Sequence, residues 1–202
     1  MKIHVGCGSA ILPGWLNIDI EALPGVDLVH DVRDGLPFEG VELIFAEHFI
    51  EHLDFEAGLA FLAECRRVLT DDGVLRLSTP NLDWVWRHQY HPASWVRDRE
   101  AVRDCFWINR AFHGWGHRFL DNSQTLEESL FEAGFVTVER AVHGSSRHPE
   151  LRHLECHETY PDSPDLHHVI VVDASGRSPG EAGPLDAPRA ELEAAVVVAQ
   201  KR

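Results

Sequence analysis

The chain has 202 residues, which allows one α/β domain with a hydrophobic core but not two large domains. Its formal net charge is −15 with histidine counted as neutral, and such a surface repels phosphate backbones and anionic lipids. We therefore expect neither nucleic acid nor a membrane as a partner. No apolar run approaches the roughly 20 residues of a membrane span. The strand pattern begins at Ile3 and leaves no room for a signal peptide, so we expect a cytoplasmic protein.

The first half of the chain contains five strand-like segments. They cover residues 3–5, 15–20, 26–32, 41–46 and 74–78. Asp54 is a candidate N-cap, and the apolar spacing behind it predicts a helix that runs to Leu69. Apolar strands without strict alternation are typical of a parallel sheet that is buried on both faces. The sequence therefore predicts an α/β fold with a mostly parallel central sheet.

The second half begins with a segment rich in tryptophan and arginine, residues 81–117. We interpret it as a helical cap inserted between the fifth and sixth strands, which serves either as a lid over a substrate or as the contact of a homodimer. A helix at 125–133 and strands at 135–140 and 168–172 follow. Residues 174–202 are rich in Pro, Gly and Ala and are predicted to be a flexible tail, with a loose helix at its end. A single domain, 1–173, is expected.

Four motifs follow the ends of successive strands. The turn Gly6-Cys7-Gly8 lets the backbone approach a ligand where a Cβ atom would clash, and ligands of α/β sheets bind at the carboxyl ends of the strands. Asp19 ends the second strand, where a carboxylate accepts ribose hydroxyls. Asp31 ends the third and can meet an adenine edge, with Val32 covering the ring. The polar cluster 47–53 leaves the fourth strand, so all four motifs are predicted to line one crevice.

These segments resemble a known enzyme family. The stretches HVGCGSAILPGWLNIDI, HDVRDGLPF, LIFAEHFIEHL and RRVLTDDGVLRLSTPN are similar to class I methyltransferases that use S-adenosylmethionine (SAM). They are most similar to a group of short bacterial predicted methyltransferases often found near sugar-transfer and natural-product genes. The resemblance covers residues 2–82 and implies a Rossmann-like methyltransferase fold. It implies SAM as cofactor and methyl transfer to O or N of a small-molecule acceptor.

The resemblance also implies roles for individual residues. The cofactor-binding set that it implies is Gly6, Cys7 and Gly8 at the methionine part, Asp19 with Ile20 at the ribose, Asp31 with Val32 at the adenine, and Glu47 with His48 beside the sulfonium. The chain departs from the family where His4 replaces an acid and Ala10 a glycine. Only ten residues separate Gly8 from Asp19, so the first crossover helix is expected to be very short or absent.

The histidines allow two interpretations. Histidine titrates near neutral pH and can remove the proton of a methyl acceptor, so His52 and His117 are the first candidates for a general base, followed by His48. Histidines four residues apart also share a helix face and can bind a metal. The segment EHFIEH is not the HExxH motif, and we predict no metal. Two other functions stay open, a non-methylating SAM-binding protein and a metal-dependent hydrolase.

Overall fold

The computed structural model describes residues 1–89, 99–157, 165–178 and 184–200. The strands are β1 (Lys2–Val5), β2 (Leu16–Asp19), β3 (Leu28–Val29), β4 (Val41–Glu47), β5 (Leu69–Pro80), β6 (Thr137–Ala141) and β7 (Val169–Ser175). The helices are α1 (Phe55–Val68), α2 (Leu82–Gln89), α3 (Arg99–His113), α4 (Ser123–Glu132) and α5 (Asp186–Gln200). In these described ranges, no helix is both long enough and apolar enough to cross a lipid bilayer.

The strands form one mixed sheet in the order β3-β2-β1-β4-β5-β7-β6. The first five strands in this order are parallel, whereas β7 runs antiparallel to both β5 and β6. At the centre, Val5 of β1 pairs with Ile18 of β2 and with Ala46 of β4. The carboxyl ends of these three strands therefore lie side by side, and the prediction of a mostly parallel α/β sheet is confirmed.

The main hydrophobic core lies between one face of the sheet and helices α1 and α4. Phe61 and Leu62 of α1 and Leu126 and Leu130 of α4 are almost fully buried against it. A smaller cluster on the second face is built around Trp15, Phe45 and Leu151. As expected, no helix separates β1 from β2, and the segment after β6 covers this second face with a short 3₁₀ turn, Pro149–Leu151, in place of a crossover helix.

Two parts of the chain differ from the sequence prediction. The third strand is only two residues long, because Asp31 accepts a hydrogen bond from the Arg33 N–H and caps a 3₁₀ turn, Val32–Asp34. The predicted tail over 174–202 begins inside β7, which continues to Ser175, and the loose helix predicted at its end is α5. Leu185, directly before α5, is buried. Arg189, in the first turns of α5, forms ion pairs with Glu56 and Glu132, and these contacts hold the helix against the domain.

The cap is helical, as predicted. Helices α2 and α3 pack on each other through Trp84, Val85 and Ala111, together with Leu120 from the following loop. Residues 90–98 of the predicted cap, including Trp95, lie outside the described residues. The cap follows β5 directly, so it stands at the carboxyl ends of β4 and β5.

Candidate functional site

The glycine turn after β1 is fastened to the end of β2. Gly6 and Gly8 both adopt positive φ, +64° and +51°. The Gly8 N–H donates to Oδ2 of Asp19 over 2.8 Å, and the Glu21 N–H donates to Oδ1 over 2.9 Å. Each carboxylate oxygen has a second lone pair, so Asp19 can still accept one further hydrogen bond at each oxygen.

The two glycines have different surroundings. A Cβ atom on Gly6 would lie 2.9 Å from Cγ of Phe49 and closer still to Cδ2, so the phenyl ring covers this glycine. A Cβ atom on Gly8 would meet no atom within 4 Å. The open face of the turn is therefore at Gly8, next to Asp19.

The third strand end carries an ion pair. Asp31 accepts three hydrogen bonds from the Arg33 side chain and one from its N–H, and these bonds lower the pKa of Asp31 to about 2. Val32 is buried beside it. His4, which stands in the place of an acid, lies inside the sheet with its Nδ1 3.3 Å from Oδ1 of Asn17. Burial lowers the pKa of His4, so its ring is neutral at physiological pH.

A cavity of about 550 Å³ lies beneath the cap, at the carboxyl ends of β4 and β5. We call it the histidine cavity. Its described lining consists of His48, Glu51, His52, Pro80, Val85, Gln89, Trp107, Arg110, Ala111, Trp115, His117, Leu120, His157 and His168. Its volume lies within the range of about 300–1,000 Å³ that is typical of small-molecule sites.

His48 and Glu51 form a hydrogen-bonded pair in the wall of this cavity. Nδ1 of His48 lies 3.0 Å from Oε1 of Glu51, and the Thr79 hydroxyl donates to Oε2 over 3.1 Å. The Glu51 side chain is fully buried, so its two bonds hold the imidazole in one orientation. Nε2 of His48 is buried and has no hydrogen-bond partner. The backbone of His48 is left-handed, with φ of +48°.

His117 and His52 contact each other in the wall of the same cavity. Their ring centroids are 5.3 Å apart in an edge-to-face arrangement. Nδ1 of His117 lies 2.7 Å from the Ala111 carbonyl, which can only accept, so Nδ1 carries the proton and Nε2 keeps a free lone pair. The loop before His117 contains two consecutive residues with positive φ, Trp115 (+57°) and Gly116 (+80°).

Backbone strain is concentrated at this cavity. Three non-glycine residues of the described part of the chain have positive φ, and two of them, His48 and Trp115, line the cavity. Such conformations cost of order 1–3 kcal/mol each and persist where the surrounding structure enforces them, often at functional sites. The strain is one reason to take the histidine cavity as the candidate functional site.

Glu47, at the end of β4, does not line the histidine cavity and instead contacts Cys156 and His157. Its carboxylate accepts the N–H groups of Cys156 and His157 and the thiol of Cys156, at 3.0–3.1 Å. Although burial works in the opposite direction, these donors lower the pKa of Glu47. His157 in turn packs against His48, with ring centroids 4.4 Å apart, so Glu47 holds His157 at the cavity.

Comparisons with known proteins agree with this architecture. No family model and no curated protein sequence matches the chain. Among solved structures it is similar to SibL, an S-adenosylmethionine-dependent methyltransferase in its apo form, with 14% identity and a TM-score of 0.53. It is also similar to the pyocyanin biosynthetic protein PhzM, with 17% identity and a TM-score of 0.52, and to PigF with S-adenosylhomocysteine (SAH), with 15% and 0.50.

The matches cover 88% of this chain for SibL and PhzM and 86% for PigF. This chain has the class I methyltransferase fold. It spans about half the length of each of those three chains.

The methyltransferase fold brings three of the predicted site residues together. His48, His52 and His117 all line the histidine cavity. The other predicted residues do not line it; they are Gly6, Cys7, Gly8, Asp19, Ile20, Asp31, Val32 and Glu47. Phe49 lies between the two groups, since its ring covers Gly6 and packs on Phe61 of α1.

Two residues of the cavity were missed by the sequence analysis. Glu51 stands in the segment EHFIEHL, and its spacing of three residues from His48 was an available signal for a hydrogen-bonded pair on one turn. His157 had no such signal, because its position depends on a contact with Glu47 across 110 residues of chain.

Proposed function

We propose that the protein is a SAM-dependent methyltransferase that transfers a methyl group to O or N of a small-molecule acceptor. The observation that carries the proposal is the placement of an open glycine turn and a carboxylate at the ends of β1 and β2, beside the cavity beneath the cap at the ends of β4 and β5. This gives one edge of the sheet a place for a donor and a separate place for an acceptor. SAH is named in the description of the PigF structure, which shares the fold.

The residues at the glycine turn fit an adenosyl cofactor. Gly8 has open space where a side chain would stand, and its neighbour Asp19 keeps a free lone pair on each oxygen for the ribose hydroxyls. The segment of Asp31 and Val32 follows at the next strand end, where we place the adenine. SAM supplies an electrophilic methyl group on a sulfonium, which we place toward the end of β4.

The histidine cavity fits the acceptor. Apolar side chains from α2, α3 and the following loop form much of its wall, among them Val85, Ala111 and Leu120. The Arg110 guanidinium lies over the Trp115 ring at 4.4 Å, and no ion pair joins it to a carboxylate in the described residues. The cavity therefore offers an apolar surface with one unpaired positive charge at its rim, which suits a small acceptor with a polar or anionic group.

We assign removal of the acceptor's proton to His48. Its Nδ1 is occupied by Glu51, which leaves the buried, unpartnered Nε2 to accept the proton of an acceptor O–H or N–H group. The Glu51 carboxylate stabilises the imidazolium that forms. His52 and His117 lie in contact with each other and line the same cavity. The remaining contribution of the protein is alignment of donor and acceptor.

Calorimetric titration with SAH tests the donor half of this proposal. We expect saturable binding to the wild-type chain and at least tenfold weaker binding by Asp19→Ala. Asp34→Ala is the matched control, because Asp34 is an exposed carboxylate at the same edge of the sheet. Absence of binding at millimolar SAH and SAM would contradict the proposal.

A screen for methyl transfer tests the acceptor half. Purified protein is incubated with SAM and panels of phenols, hydroxy acids, amines and sugars, and release of SAH is measured together with a 14 Da gain on the acceptor. Binding of SAH without transfer in any panel would favour the non-methylating alternative.

A further inference from the structure

We propose that Glu51, His52 and His117 form a binding site for a divalent transition-metal ion in the wall of the histidine cavity. One carboxylate oxygen of Glu51 and one ring nitrogen of each histidine lie within 4.8 Å of one another. Two imidazoles and one carboxylate are ligands that suit Mn²⁺, Fe²⁺, Co²⁺, Ni²⁺ and Zn²⁺. Small side-chain movements bring three atoms at this separation onto one ion.

Two of the three ligands are already oriented by neighbours. Nδ1 of His117 donates to the Ala111 carbonyl, which directs the lone pair of Nε2 away from that bond. Glu51 is held by His48 on one oxygen and by Thr79 on the other. A backbone carbonyl or a carboxylate behind a metal ligand fixes its ring tautomer and orientation, and this is the usual second layer of a metal site.

The charge at Glu51 supports a cation. The Glu51 side chain is fully buried, and in the described part of the chain no Lys or Arg forms an ion pair with it. A buried carboxylate is costly unless it is paired or coordinates a metal.

The cavity leaves room for further ligands. Three protein ligands on one side of an ion leave positions that face the histidine cavity, as in open catalytic sites. If the chain methylates a small molecule as proposed above, the ion would act as a Lewis acid that lowers the pKa of an acceptor hydroxyl in the cavity, which His48 also lines. Acceptors with two neighbouring oxygens are then favoured because they fill two positions.

A second group, Glu47, Cys156 and His157, also has three ligand-type side chains within the same distance. It is the weaker candidate, because Glu47 already accepts two backbone N–H groups and the thiol of Cys156, which is itself one of the three ligands of this group. Cys156 and His157 are moreover exposed, whereas His52 and His117 are partly buried. The two groups are separate, and the experiment below distinguishes them.

The test is calorimetric titration of the full chain, purified without a histidine tag and stripped with EDTA. Mn²⁺, Co²⁺, Ni²⁺ and Zn²⁺ are the probes, with Mg²⁺ and Ca²⁺ as hard-ion comparisons. We expect one equivalent of Zn²⁺ or Co²⁺ to bind. His52→Gln and His117→Gln are each expected to weaken binding at least 100-fold, and His48→Gln to weaken it about 10- to 100-fold because His48 only orients Glu51. Circular dichroism verifies that each variant is folded.

His157→Gln and Cys156→Ser are the controls for the second group and are expected to retain binding. Loss of binding in these two, with full binding in His117→Gln, overturns the proposal, and so does absence of stoichiometric binding to the wild-type chain. SAH titration of the wild-type chain separates the two proposals: SAH binding without metal binding rejects only the metal site, and metal binding without SAH binding rejects only the SAM assignment.

Discussion

The ring of Phe49 lies against Gly6, so closely that a Cβ atom on this glycine would stand 2.9 Å from Cγ of the phenylalanine. Phe49 follows β4, and Gly6 follows β1. Their contact therefore joins the glycine turn to the segment that carries His48 into the wall of the histidine cavity. The ring also packs on Phe61 of α1, with centroids 5.1 Å apart. Gly6 is therefore fixed by packing as well as by its φ of +64°.

The two glycines of the turn are expected to differ in their tolerance of alanine. Both have positive φ, which costs an L-residue roughly 1–2 kcal/mol. Gly8→Ala should lower the free energy of unfolding by about that amount, because its Cβ atom meets open space. Gly6→Ala should lower it by about 1–3 kcal/mol more, because Phe49 has to move. Urea denaturation of both variants measures the difference, and equal losses would show that the contact with Phe49 is not restrictive.

The sequence predicted the main strands because their apolar runs are long and their ends carry glycine or acids. It also located His48, His52 and His117, since the spacing EHFIEH and the loop before His117 are visible as local patterns. It did not predict that α5 would pack on the domain. That contact consists of ion pairs from Arg189 to Glu56 and Glu132. Because both glutamates are distant from Arg189 in the sequence, composition could not indicate the contact.

Arg76 is the second feature that local pattern could not predict. It stands in the middle of β5 with no exposed surface, and its Nε and Nη1 atoms bind Glu155 at 2.6 Å and Asp173 at 2.7 Å. Arg76→Met is expected to lower the free energy of unfolding by about 3–5 kcal/mol, because it leaves two buried carboxylates without a cation. Chemical denaturation of wild type and variant measures the loss.

The matched control for Arg76 is Arg140→Met. Arg140 lies in β6 and pairs with Glu127, but its side chain is 56% exposed. Because solvent screens an exposed pair, this change should cost less than about 1 kcal/mol. If the two variants lose the same stability, the buried cluster of Arg76, Glu155 and Asp173 contributes no more to stability than an exposed ion pair.

Cys156 is expected to react slowly with alkylating agents although its side chain is exposed. Burial of the sulfur and its hydrogen bond to Glu47 raise the pKa of the Cys156 thiol to about 11. At pH 8 its thiolate fraction is then about a hundredfold smaller than that of an ordinary thiol, and thiolate is the reacting form. Glu47→Gln removes the negative charge and should accelerate alkylation at least tenfold.

Mass spectrometry of iodoacetamide-treated protein follows this reaction peptide by peptide. Cys105, which is also exposed, serves as the internal reference in the same sample. Its rate should be the same in the wild type and in Glu47→Gln. A Cys156 rate that equals the Cys105 rate before the mutation would show that the thiol does not donate to Glu47.

Asp121 provides a pH dependence of stability. Its side chain is 6% exposed, and burial, with the charge of Glu51 adding to it, raises the pKa of Asp121 to about 7 from an ordinary value of 3.8. The folded state therefore favours the protonated carboxyl, and the stability associated with this group is complete below pH 3.8 and lost as the pH rises through 7. Asp121→Asn, which is neutral at every pH, should be more stable than the wild type at pH 8, by up to about 4 kcal/mol at roughly 1.4 kcal/mol per pKa unit. The advantage should shrink steadily as the pH is lowered from 8 to 5. Urea denaturation of both proteins at intervals across this range measures it, and a difference that does not change with pH would mean that Asp121 is ionised throughout.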